Sequence, residues 1–136
     1  MDTKEISVFK SFVKAINQAD LLKLEALMTE DHTFIDAAGT KETGREKMIK
    51  GWSSYFKMFP DYKIEIEDII QENEIVGAFG TATGTYNGKR GLVPENIIKM
   101  PAAWRAVIKE GKVKNWQVYA DWTEGFKIIE EDQKQD

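Results

Sequence analysis

The 136 residues carry 19 Lys and Arg against 23 Asp and Glu, a formal net charge of -4, and no cysteine. That excludes disulfides, thiolate metal sites and cysteine nucleophiles, and it leaves no clustered basic surface of the kind nucleic acid needs. No apolar run approaches the roughly 20 residues that cross a bilayer, so no membrane partner is expected.

Met1 to Glu5 lacks the basic start and apolar stretch of a secretory signal, and a cytoplasmic protein is the expectation. Ile6, Phe9, Val13 and Ile16 recur at helical spacing and predict a first helix with one apolar face. Asp20 caps a second helix that carries Leu21, Leu24, Leu27 and Met28. His32-Thr33-Phe34-Ile35-Asp36 reads as a short strand, and Ala37 to Thr43 as a loop. Gly44-Arg45-Glu46 leads into a third helix with a wide aromatic face: Trp52, Tyr55, Phe56 and Phe59. Pro60 stops it.

From Tyr62 the period changes to two, with Ile64 and Ile66 alternating against Lys63, Glu65 and Glu67. A long strand from Ile75 to Tyr86 follows. One of its faces, Ala78, Gly80, Ala82 and Gly84, is nearly bare, which permits a sharp bend or close approach of another backbone. Leu92 to Met100 is turn-like at Pro94-Glu95-Asn96, and Pro101 suggests an edge or bulge. Trp104 to Lys109, a Glu110-Gly111 turn and Val113 to Trp122 make a hairpin. Residues 125–136 are expected as a C-terminal arm, with Phe126, Ile128 and Ile129 in a short helix or an extended segment and Glu130 to Asp136 as a frayed tail. Three helices followed by four or five antiparallel strands, without strand–helix–strand alternation, give an α+β domain spanning 1–136. A helix layer on one face of a strongly curved antiparallel sheet forms a cone with an internal pocket.

Several pieces in this order carry a resemblance: Phe34-Ile35-Asp36, Gly44-Arg45-Glu46, Phe59-Pro60-Asp61, Gly80 to Thr85, and Gly111-Lys112-Val113 with Trp116 and Asp121. Between about Ile6 and Trp122 the chain resembles the SnoaL-like polyketide cyclase family of the nuclear-transport-factor-2-like (cystatin-like cone) superfamily. The fold hosts isomerases, cyclases, dehydratases, ligand carriers and assembly modules, so the resemblance bears on architecture more than on activity.

The resemblance implies a general acid/base role for Asp121, at the end of the last strand, inside an apolar cavity that raises its pKa. Asp36 occupies what looks like the family's pocket-rim position; it would orient a substrate or, alternatively, cap the loop before Gly39. His32, the lone histidine, shares a strand face with Asp36, so a His–Asp dyad is geometrically open beside a plain structural role. Family cyclases pair the last-strand aspartate with a histidine on the neighbouring strand. Ala103-Trp104-Arg105-Ala106-Val107 has none. Phe34, Trp52, Tyr55, Phe56, Phe59, Trp104 and Tyr119 are the expected cavity walls, against the alternative of ordinary core. Arg105 is read as a surface charge beside Lys109, against the alternative of a contact to a substrate anion. No ligand spacing supports a metal, and no phosphate loop or dinucleotide fingerprint implies a cofactor.

Two functions remain open on these residues. One is a cofactor-independent isomerase, cyclase or dehydratase acting on a small apolar carbonyl compound through Asp121, with Asp36 and His32. The other is a non-catalytic module that binds a small ligand or dimerises, with Asp121 paired to Arg105. Both predict a homodimer through the outer sheet face, with Trp116 and Val118 on that face and Tyr119 and Asp121 opposite.

Overall fold

The computed structural model describes residues 1–136. Helix α1 (Lys4–Asn17) opens on Thr3, whose Oγ1 accepts the Ile6 N–H at 3.1 Å. Its apolar stripe sinks Phe9, Phe12, Val13 and Ile16. Ala19 takes a left-handed conformation (φ 51°) that breaks the chain into α2 (Leu21–Leu27), capped by Asp20 through the Lys23 N–H at 3.0 Å. The following strand, β1 (Met28–Ile35), is longer than the His32–Asp36 expectation and starts at once after the helix. β2 (Lys41–Thr43) is a short return. Gly44, at φ 116°, makes the entry to α3 (Arg45–Met58), a conformation that a side chain would strain.

β3 (Lys63–Glu72), β4 (Ile75–Thr85), β5 (Ile97–Lys109) and β6 (Lys112–Ala120) complete a six-stranded sheet in the order β2-β1-β6-β5-β4-β3. The sheet is antiparallel except for one pair: β1 runs parallel to β6. The β5–β6 hairpin closes on Glu110 (φ 50°) and Gly111 (φ 79°), the paired positive dihedrals that match strand twist. A 3-10 turn at Pro94–Asn96 precedes β5. β6 pairing with β5 ends at Ala102, so Pro101 faces only β4, through Thr81, and behaves as an edge residue inside an interior strand.

The bare face of β4 does what its composition predicts. A Cβ on Gly80 would stand 1.8 Å from the Glu65 carbonyl oxygen, beside the register break between Ile66 and Asp68. Only glycine allows β3 to bend this closely over β4. The exposed edge of β3 is blunted by Asn17, whose side-chain amide donates to the Ile64 carbonyl at 2.9 Å and accepts its N–H at 2.8 Å. Phe59-Pro60-Asp61 is a structural clasp: Asp61 accepts the Thr85 N–H at 2.7 Å and its hydroxyl at 2.6 Å, fixing the end of α3 to the end of β4.

The core lies between α1 and the sheet. Trp116 is fully buried against Phe9 and Phe12, with ring centroids at 5.2 and 4.7 Å. Burying a ring of this size stabilises by about 2–3 kcal/mol. Trp116 and Val118 therefore point inward, contrary to the sequence expectation. The register of β6 breaks against β5 between Val113 and Asn115, and inward positions run Val113, Trp116, Val118, Ala120.

Of the two C-terminal alternatives, the chain takes the helix, and it runs further than expected. Thr123–Gln133 form a fourth helix, α4, and Asp132 near its end is buried. No helix is long and apolar enough to cross a membrane.

Candidate ligand-binding cavity

A cavity of about 960 Å³ opens between α3, α4 and the concave face of the sheet. Its floor is made by small side chains, Ala82, Gly84, Ala102 and Ala120, with Met100, Trp104 and Val118. α3 supplies Met48, Trp52, Tyr55 and Phe59 as the facing wall, because those positions recur along one side of the helix. Phe34 from β1 meets Trp52 edge to face at 6.1 Å. Trp122, Phe126 and Ile129 of the α4 segment close a third side.

The polar groups of this lining include the phenols of Tyr55 and Tyr62, whose rings cross edge to face at 5.0 Å, and the indole N–H groups of Trp52, Trp104 and Trp116, which are buried without a hydrogen-bond partner. Burial, then the neighbouring Tyr62 phenol, pushes the Tyr55 hydroxyl far above its ordinary value; burial pushes Tyr62 up to about 12. Both remain protonated at any physiological pH and can donate a hydrogen bond to an oxygen. Asp36, Glu42, Lys47, Asp121 and Thr123 also border the cavity.

Asp121 is not the desolvated interior acid expected of it. Its side chain is exposed and its Oδ1 accepts the Thr123 N–H at 2.9 Å and the Thr123 hydroxyl at 2.6 Å, an Asx turn that leads into α4. Those two hydrogen bonds hold its carboxyl below the ordinary value of 3.8. Its strand neighbour Tyr119 is 51% exposed on the outer face, level with Ala103 of β5, and lines no part of the cavity. One residue of strand period separates Tyr119 from the inward set, whereas Asp121 lies past the end of β6, at the cavity rim.

Asp36 borders the mouth, but its Oδ1 is engaged by the Ala38 and Thr40 N–H groups, each at 2.9 Å, so it caps the 36–40 turn. His32 lies elsewhere, fully buried under α1 with its ring 5.9 Å from Phe12. Its Nδ1–H donates to the Val113 carbonyl at 2.7 Å, leaving Nε2 without a partner. Burial pushes its pKa down, against the pull of Val113 and Asp31, so the imidazole is neutral. His32 and Asp36 form no dyad. Phe56 stacks on Trp52 at 5.5 Å but stands outside the cavity. Arg105 lies on the outer face between Gly77 and Gln117 and does not pair with Asp121.

Of the expected walls, the structure brings together Phe34, Trp52, Tyr55, Phe59 and Trp104. Tyr62 and the α4 residues were not among those expected walls. For α4 the signal was present: Trp122, Phe126 and Ile129 recur at four and three residues, the spacing of one helix face. No three His, Asp or Glu side chains converge in a way that holds a metal ion.

Solved structures share this architecture. A candidate SnoaL-like polyketide cyclase from Jannaschia sp. CCS1 superposes with a TM-score of 0.79 at 17% identity, covering 99% of this chain and 95% of that one. IdmH, a candidate polyketide cyclase from Streptomyces antibioticus, gives 0.77 at 19% identity over 94% of this chain and 99% of that one. An M. tuberculosis LEH-like epoxide hydrolase gives 0.78 at 13% identity over 96% and 92%. At such identities these similarities concern the fold. No functionally curated protein matches the chain by sequence. The family model of the SnoaL-like domain matches residues 9–116, from the first buried phenylalanine of α1 to the central tryptophan of β6, and the chain belongs to the SnoaL-like domain family.

Proposed function

We propose that this protein binds a small, mostly apolar molecule bearing a carbonyl or comparable oxygen, held in the cavity with that oxygen toward the Tyr55–Tyr62 phenols. The observation that carries the reading is the lining itself: an apolar cavity of about 960 Å³ whose polar groups are mostly neutral donors, the protonated Tyr55 and Tyr62 hydroxyls and the unpartnered indole N–H groups of Trp52, Trp104 and Trp116. Catalysis by isomerisation, cyclisation or dehydration needs a base within reach of the substrate. Asp36 and Asp121 border the cavity, but each has a carboxylate oxygen committed to a turn, and His32 is a buried core histidine outside it. Binding without proton transfer is therefore the better supported of the two readings.

The test compares 2-acetonaphthone with 2-ethylnaphthalene, which lacks the carbonyl, by tryptophan fluorescence. The ketone is expected to bind more tightly. Tyr55→Phe should weaken the ketone roughly two- to tenfold and leave the hydrocarbon unchanged. Equal affinities in the wild type would remove the phenols from the reading.

A second copy of the chain is proposed as partner for the outer sheet face. Phe79, Ala103 and Tyr119 stand level on three adjacent strands there, with Phe79 and Tyr119 about half exposed. A monomer on a sizing column at micromolar concentration would count against it. A cytoplasmic setting completes the reading.

A further inference from the structure

α4 walls the cavity, yet it is fastened unlike a core helix. Its fully buried residues are Gly125 and Asp132, so none of its apolar side chains is sunk in the core. Phe126, though it borders the cavity, is 63% exposed. The far end of the helix is held by polar contacts. The Asp132 side chain, 1% exposed, accepts the Lys89 and Arg90 N–H groups at 2.7 Å each and the Asn96 side-chain amide at 3.0 Å. Arg90 Nε lies 3.7 Å from that carboxylate and donates to Asn96 Oδ1 at 2.9 Å, while Arg90 Nη2 donates to the Ile128 carbonyl at 3.3 Å. Lys89 Nζ donates to the Gln133 and Gln135 carbonyls at 3.0 and 3.2 Å.

The receiving loop is shaped for the carboxylate. A Cβ on Gly88 would fall 2.1 Å from Asp132 Oδ2. At the other end of α4, the Asx turn of Asp121 and Thr123 joins the helix to β6 with both polar residues exposed, and its apolar contact is Trp122, partly buried beside Phe59. A buried carboxylate is stable only while its donors surround it, so this cluster holds as a unit or releases as a unit.

We propose that α4 is a hinged lid on the cavity, turning at Asp121–Thr123 and latched by Asp132 in the 88–90 loop, so that release of the latch sets how fast a ligand enters and leaves. The inference rests on the cavity being a ligand site. Asp132 lines no part of the cavity. It is a positioning residue that acts through α4 on Trp122, Phe126 and Ile129. Opening uncovers no fully buried apolar side chain, because Phe126 is already largely exposed and Trp122, Ile128 and Ile129, which pack against the core, are only partly buried. That places α4 at the low-stability end of the molecule, where lids are drawn from.

The test is stopped-flow binding of N-phenyl-1-naphthylamine, a neutral apolar fluorophore, to the full chain, with hydrogen exchange on the same proteins. Asp132→Asn attacks the latch from the helix and Gly88→Ala from the loop. Both are expected to raise the association and dissociation rate constants together, roughly tenfold, with Kd nearly unchanged. Amides of α4 should exchange faster while those of α1 do not change. If Asp132→Asn does not fold, Gly88→Ala and Arg90→Gln carry the same test. Unchanged probe kinetics in variants whose α4 exchanges faster overturn the lid and leave the cavity standing. Unchanged α4 exchange overturns the latch. Failure of the probe to bind the wild type removes the cavity reading, and the lid falls with it.

Discussion

α1 and α4 are both amphipathic on paper, and they are held by opposite physics. α1 drives Phe9, Phe12 and Ile16 into full burial against Trp116, so its docking is apolar, non-directional and continuous along the helix. α4 keeps Phe126 in solvent and buries a carboxylate in its place. An apolar stripe fixes a helix wherever it touches, whereas a polar latch fixes one end and lets the rest depend on it. One helix builds the core, and the other closes what the core leaves open.

The contrast breaks first if the two aromatic positions prove equivalent. Phe12→Ala should cost about 3–5 kcal/mol of global stability in a urea titration, from lost burial and the cavity left behind. Phe126→Ala should stay within about 0.5 kcal/mol, as expected of an exposed position. Comparable losses at both sites would mean that α4 is core after all.

Two glycines sharpen the same division. Gly80→Ala sets a methyl against the Glu65 backbone carbonyl, which cannot turn aside, and should destabilise the whole fold by about 1–3 kcal/mol. Gly88→Ala meets the tip of the Asp132 side chain and the Tyr86 ring, which can move, and should loosen α4 with a smaller change in the global midpoint. A global loss at Gly88 as large as that at Gly80 would tie α4 to the core.

pH separates the regions by a different route. His32 is buried neutral beneath α1, so its folded pKa lies below the ordinary 6.5. The unfolded chain then binds a proton that the folded one refuses. The stability is complete above 6.5 and is lost as pH falls from there through the depressed folded value. The urea midpoint should decline over that window, and His32→Gln should flatten the slope. A wild-type midpoint constant between pH 7 and the carboxylate range would contradict a neutral buried imidazole.

The smallest effect is expected at Asp121. Its carboxyl should titrate below 3.8 by carbon-detected NMR, and Asp121→Asn, which can still make the Asx turn, should leave the melting temperature unchanged. Titration above 3.8 would restore it as an interior acid.

The placement of Asp121 shows where a sequence stops speaking. Strand alternation in Val113 to Ala120 is plain, but the β6 register break shifts the inward set to Trp116, Val118 and Ala120, and no local residue pattern announces it. A one-residue shift exchanges the two faces of a strand, so Tyr119 turned outward and Asp121, just past the strand, was left exposed at the cavity rim. The α3 wall was legible because helical spacing survives any tertiary arrangement. Trp52, Tyr55 and Phe59 could lie only on one side. Asp132 was not legible, since its partners Lys89, Arg90 and Asn96 are 36 to 43 residues away along the chain.

By itself the sequence determined the α+β order, the bend at Gly80, the stops at Pro60 and Gly111, and an aromatic wall on α3. Each of these depends on backbone dihedrals or short-range periodicity, which neighbouring residues set among themselves. Tertiary structure alone decided the parallel join of β1 to β6, the exposure of Asp121 in its turn, the burial of His32 and the latch on α4. These depend on register and on contacts between residues far apart in the chain, where a shift of one residue or one buried charge changes which groups meet.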